Sequence, residues 1–186
     1  MILFSLFLAC SDVKDSHDHD HEQELITTVL LELDSTDGSE SFVATWSDVE
    51  QSGAPMVDEL ILTVGLSYTL NVSFLNELES PAEDITQEIA DEAEEHQIFF
   101  TGGAIDTLVG HSYLDSDANG LPVGLENELQ ALTVGSDTLT LTLRHLPPES
   151  DQAVKVDGLA EQANDEGLAT LPGDSDVSVD FVLSVE

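Results

Sequence analysis

The chain has 186 residues, room for one domain and a tail. A hydrophobic share of 41% is enough to build a core and excludes wholesale disorder. Three basic residues (Lys14, Arg144, Lys155) face 39 acidic ones, for a net charge of -36. That balance repels phosphate backbones and excludes nucleic-acid binding. It also attracts cations, and it fits adaptation to a salty medium, where screening shortens the reach of self-repulsion.

Residues 1–9 are an apolar run ending in a small residue ahead of Cys10, the one cysteine of the chain. The arrangement reads as a lipoprotein leader in which Cys10 is lipidated and the leader removed. The leader is short and has no basic residue before its apolar stretch, which an upstream start codon explains. Phe7 stands where leucine is preferred. No other apolar run is long enough to span a bilayer, so the membrane contact expected is a lipid anchor at the bacterial cell envelope. The expected face is the outer membrane, on its periplasmic side or at the cell surface. Residues 10–24 are polar, without apolar periodicity, and read as a tether. The domain spans residues 25–186.

Period-two alternation dominates the domain. Leu25, Thr27, Val29, Leu31 and Leu33 share one face of a first strand. Phe42, Ala44 and Trp46 alternate on a second, and Leu60 to Val64 form a short apolar run. Tyr68, Leu70, Val72 and Phe74 alternate against Ser67, Thr69, Asn71 and Ser73. Ser80, Pro81 and Glu83 have the form of a capping box, predicting a helix to about Glu95 with Ile85, Ile89 and Ala93 on one face. Residues 111–114 and 123–134 read as strand-like. Leu139, Leu141 and Leu143 alternate with threonines, the clearest strand of the chain. The stretch 147–173 is rich in Pro, Gly, Asn and Asp and reads as a long loop with a short strand at 153–156. Val177, Val179, Phe181, Leu183 and Val185 close the chain. The fold expected is a single antiparallel β-sandwich of immunoglobulin-like architecture with one short acidic helix.

Three features bear on chemistry. His17, Asp18, His19, Asp20 and His21 alternate imidazole and carboxylate on the tether, a donor set for Zn(II), Cu(II) or Ni(II), or else a solvated spacer. Asp115, Asp117, Asn119, Gly120 and Glu126 stand at the first, third, fifth, sixth and twelfth places of a calcium-loop pattern. The same stretch fits a β-hairpin connection through Asn119 and Gly120, and its strand-like flanks and Pro122 depart from a helix–loop–helix site. At the helix end, Glu92 and His96 stand four apart with Asp91 and Glu95 adjacent, as metal ligands or as a histidine favoured by the helix dipole. His145 has the parity of Leu139 to Leu143 and is expected to face inward. His111 reads as structural.

Catalytic motifs are lacking: there is no Gly-x-Ser-x-Gly elbow, no His-Glu-x-x-His helix and no phosphate loop. Carboxylates are too abundant to single out a hydrolase pair.

Cys10 with its His/Asp-rich tether resembles the opening of a group of small acidic bacterial lipoproteins. The resemblance continues through Glu24 to Val29 (ELITTV), Asn76-Glu77, Ser80 to Thr86 (SPAEDIT), Glu95 to Gln97, Asp115 to Leu125 and Leu143 to His145. It implies export and lipidation. Such sequences are sometimes described as type 1 periplasmic binding fold proteins, a fold of two α/β lobes that needs more chain and more helices than this sequence has. The function expected is a non-enzymatic envelope module that binds divalent cations, Ca(II) or Zn(II), and a protein partner. The alternative is capture of Zn(II) or Cu(II) by the His-rich tether.

Overall fold

The computed structural model describes residues 24–150 and 152–186. In chain order the strands and helices begin with β1 (Thr28–Ser35), β2 (Ser41–Ser47), β3 (Met56–Val57), β4 (Leu60–Leu62), β5 (Ser67–Asn76) and β6 (Glu83–Asp84). Helix α1 (Ile85–Asp91) precedes β7 (His96–Thr101), β8 (Val109–Tyr113), β9 (Glu126–Ala131) and β10 (Gly135–His145). Helix α2 (Leu159–Glu166), a 3-10 turn (Leu168–Thr170) and β11 (Asp174–Val185) complete the order.

These strands form two sheets. One runs β3-β2-β1-β5-β9-β8, with β6 added to β5, and the other runs β4-β11-β10-β7. All pairings are antiparallel except that of β4 with β11. The alternation in the sequence sets which side chains meet. Leu31, Leu33, Leu70 and Phe74 of the first sheet and Leu139, Leu141, Phe181 and Leu183 of the second are fully buried in one cluster. Each such side chain contributes about 1.5–3 kcal/mol through removal from water. The mostly-β sandwich expected from the sequence is the architecture observed.

The helices differ from expectation. Ser80 does not cap α1, because Glu83 and Asp84 are paired with Asn76 and Leu75 of β5. Asp84 is the cap instead, and its carboxylate accepts from the Thr86 amide at 3.1 Å. The helix ends at Asp91, with Glu92 as its C-cap, four residues short of the predicted end. A second helix, α2, lies inside the stretch read as loop, and 153–156 is not a strand. Leu159 and Ala163 of α2, four residues apart, enter a second apolar cluster with Phe99, Leu146 and Leu171. That cluster covers the outer face of β7, so His96 to Phe100 are buried on both faces and run continuously instead of alternating. Leu25 is exposed, and the inward run starts at Thr27.

Candidate metal centre

The chain brings two histidines together across strands. His96 opens β7, His145 closes β10, and the antiparallel register makes them direct partners. Their rings stack, with centroids 4.8 Å apart and planes 10° from parallel. Glu92 is the C-cap of α1, and the turn at 92–95 feeds β7, so Glu92 lies one turn ahead of His96. One ligand atom from each of Glu92, His96 and His145 lies within 4.8 Å of the others.

The chemistry of His96 suits a ligand. Its Nδ1 is 3.2 Å from the carbonyl oxygen of Glu92. A carbonyl can only accept, so Nδ1 carries the proton and Nε2 keeps its lone pair. A ring nitrogen held by a backbone carbonyl, with the other left to the ion, is the usual support of a metal-bound imidazole. His96 is 1% exposed, and its Nε2 has no hydrogen-bond partner among the described residues. Burial, opposed by the hydrogen bond at Glu92 and reinforced by His145 and Lys155, pushes His96 down to about 4. The imidazole is therefore neutral at ordinary pH, the form that binds a metal.

Two imidazoles and a carboxylate can hold a metal ion. Tetrahedral bonds of about 2.0–2.2 Å put ligand atoms about 3.4 Å apart, so the group closes on an ion with side-chain shifts of about 1 Å.

Carboxylates surround this group. His145 Nε2 is 3.6 Å from a Glu95 carboxylate oxygen. Between Leu143 and Arg144 the pairing with β11 slips, and Asp176 is the extra residue of the bulge. Asp176 accepts from the backbone amide of Glu24, which brings the start of the domain to this corner. Burial, partly offset by His145 and by the Glu24 amide, raises the Asp176 carboxyl to about 6. Burial raises Glu24 to about 7, and Glu88, Asp176, Glu92 and Glu83 add to the rise. Two carboxylic acids are thus held back from ionising beside the neutral His96 imidazole, an environment that favours a cation.

Arg144 fixes the far wall. Its guanidinium donates to the carbonyls of Leu168 (3.2 Å), Leu171 (3.1 Å) and Pro172 (2.7 Å) and to that of Gly173. Gly173 has φ +72°, and a Cβ there would collide with the His145 carbonyl oxygen, so only glycine lets this segment approach so closely. A cavity of about 660 Å³ opens beside His145, with Pro147, Pro148, Glu149, Asp174 and Asp176 in its wall.

The residues singled out in the sequence fall elsewhere. Cys10 and His17, Asp18, His19, Asp20 and His21 lie outside the described residues. Asp115, Asp117 and Asn119 lie in the connection between β8 and β9, an antiparallel hairpin. Asp115 accepts from the amides of Gly124, Leu125 and Glu126. Asp117 accepts from those of Asn119 and Leu121 and pairs with Lys155 Nζ at 2.9 Å. The Asn119 side chain donates to Glu94 at 3.3 Å, and Glu126 is exposed at the start of β9. Among the described residues, Asp115, Asp117 and Glu126 do not converge as Glu92, His96 and His145 do. His111 Nε2 donates to the Asn127 side-chain oxygen at 3.0 Å, and the ring packs on Phe100, a structural placement.

Comparison with family models, characterised proteins and solved structures gives no match for this chain. The site therefore stands on its geometry. Sequence spacing showed the Glu92–His96 half of it. The missing half was the register that sets His145 beside His96, together with Asp176 and Glu24.

Proposed function

We propose that this protein is a lipid-anchored module of the cell envelope that binds a divalent transition-metal ion through Glu92, His96 and His145. The observation that carries the metal reading is the buried, neutral His96, stacked on its cross-strand partner His145 with no hydrogen-bond partner for Nε2 among the described residues. A donor set of two imidazoles and one carboxylate suits Zn(II), with Cu(II) or Ni(II) as competitors. Ca(II) wants six or more oxygens and fits it less well. The carboxylate periphery supplies the attraction that concentrates cations at the corner. No step of catalysis is part of this reading.

Zn(II) is expected to raise the melting temperature of the full chain, by the equivalent of about 2.7 kcal/mol at a hundredfold excess over Kd. His145→Ala and Glu92→Gln are expected to remove the rise; His145 is near the surface, so its loss leaves the core intact. An equal rise in both variants sinks the reading. The tether alone gives no such rise, because an ion bound outside the fold does not favour the folded state.

Anchoring rests on the apolar run before Cys10 and has its own test. The wild-type protein expressed in a bacterium should partition into detergent and carry diacylglycerol by mass spectrometry, and Cys10→Ser should move it to the aqueous phase. Aqueous partition of the wild type overturns the anchor.

A further inference from the structure

We propose that the ion held by Glu92, His96 and His145 keeps one position open to the cavity beside His145, and that a small organic cation binds there. Its aromatic nitrogen sits on the ion, and an ammonium group joined to that ring sits on Asp174. The inference rests on the metal reading and names the class of ligand that the site receives. Three observations support it.

The first is access. Three protein ligands leave a tetrahedral ion with one position to fill. His145 belongs both to the ligand group and to the wall of the cavity, so that position has a route from outside. The cavity volume of about 660 Å³ lies within the range of about 300–1,000 Å³ usual for small-molecule sites.

The second is the register. His96 is the direct partner of His145 across β7 and β10, and His145 is that of Asp174 across β10 and β11. Direct partners on antiparallel strands place their side chains on one face, so two imidazoles and a carboxylate form a row. At about 4.8 Å between strands, an ion shared by the imidazoles lies roughly 7 Å from the Asp174 position. A donor ring with an aminomethyl group on its far side spans that gap.

The third is the chemistry of the wall. Glu149, Asp174 and Asp176 line the cavity, and Pro147 and Pro148 add apolar surface. The charge of Arg144 reaches Asp174 and Asp176, but its guanidinium is spent on the carbonyls of Leu168, Leu171 and Pro172. The wall therefore repels anions and attracts an ammonium group, while the prolines receive a flat ring. An aliphatic amine is protonated at neutral pH and an aromatic nitrogen is largely not. That difference assigns the aromatic nitrogen to the ion and the ammonium group to the carboxylate.

The test uses the full chain loaded with one equivalent of Co(II), a coloured substitute for Zn(II), and titrated with 4-(aminomethyl)pyridine. The two nitrogens of this probe stand at opposite ends of the ring, so it cannot chelate one ion. It is expected to shift the visible absorption of the ion with an affinity about fivefold above that of 4-methylpyridine, the effect of one exposed ion pair. Isonicotinate, which carries a carboxylate in place of the ammonium group, should bind more weakly than either. Asp174 is exposed at the start of β11, and Asp174→Asn should bring the first two ligands within about twofold of each other. The metal-free chain should bind none of the three. Equal affinities for all three, or a preference for isonicotinate, overturn the cationic ligand. A preference for 4-(aminomethyl)pyridine that survives Asp174→Asn overturns the role of Asp174. Equal binding to the metal-free chain, or an absorption band that no ligand shifts, overturns coordination from the cavity. In each of these cases a Zn(II)-induced rise in melting temperature leaves the Glu92–His96–His145 site standing, whereas loss of that rise overturns both readings.

Discussion

Lys155→Met is expected to destabilise the protein by about 3–5 kcal/mol, because it leaves a buried carboxylate without its cation. Lys155 is 2% exposed, and its Nζ donates to Asp117 at 2.9 Å and to the Ala93 carbonyl at 2.7 Å. Burial pulls Lys155 below the ordinary ammonium range, and the hydrogen bond and charge of Asp117 oppose that pull. The two contacts tie the β8–β9 hairpin connection to the turn after α1, one residue past Glu92. One of the three basic residues of the chain thus does at Asp117 what an ion was expected to do. Urea unfolding of Lys155→Met should show the loss. Lys155→Met combined with Asp117→Asn should recover roughly 1–2 kcal/mol of it, since the neutral amide no longer needs a counter-charge. A single-variant loss below about 1 kcal/mol sinks this account, because a buried pair broken on one side cannot be that cheap.

The strands were legible because each buries one face. Tyr68, Leu70, Val72 and Phe74 alternate with half-buried residues along β5, as the pattern demands. The exceptions have physical causes. β7 is covered on both faces by the core and by α2, so it reads as an unbroken apolar run from which no parity can be taken. The second helix was hidden because Gly158 and Gly167 bracket it and only Leu159 and Ala163 are buried along its length. Two apolar residues at one helical spacing in a segment rich in turn formers are too weak a signal. The capping box at Ser80 was overridden by a β-pairing between residues that propensity does not relate.

The same distinction governs the site. Glu92 and His96 share one local segment, so their spacing was visible. His145 is 49 residues on from His96 (145 − 96), and only the β7–β10 register places it there. Its parity pointed inward correctly as far as Leu143. The slip after that residue sends Arg144 into the carbonyl nest of 168–173 and leaves His145 half-buried at the rim, 3.6 Å from Glu95 and close enough to Asp176 for their charges to interact. A bulge is a property of two strands together, and no single-strand pattern encodes it. Glu24 and Asp176 were two among 39 acidic residues, with nothing local to mark them.

Asp176→Asn is expected to stabilise the metal-free protein at pH 8 and to leave it nearly unchanged at pH 4. The native state raises this carboxyl from 3.8 to about 6. Between those values the folded protein holds a proton that the unfolded chain has released, so the stability the group contributes is complete below about pH 4 and disappears as pH rises through 6. Above that, the native state carries a charge that burial disfavours. Glu24 follows the same sign over a higher window, from 4.5 to about 7. After allowance for solvent screening, each neutral amide should add roughly 1–2 kcal/mol at pH 8. His96 acts in the opposite direction, since its native value of about 4 lies below 6.5 and stability falls as pH drops through that window. It is present in wild type and variant alike, so it cancels in the difference. Unfolding curves in EDTA at pH 4, 6 and 8 measure that difference directly. Should Asp176→Asn give the same increment at all three, the carboxyl is not held back in the native state. The corner would then lack the charge strain that a bound cation relieves.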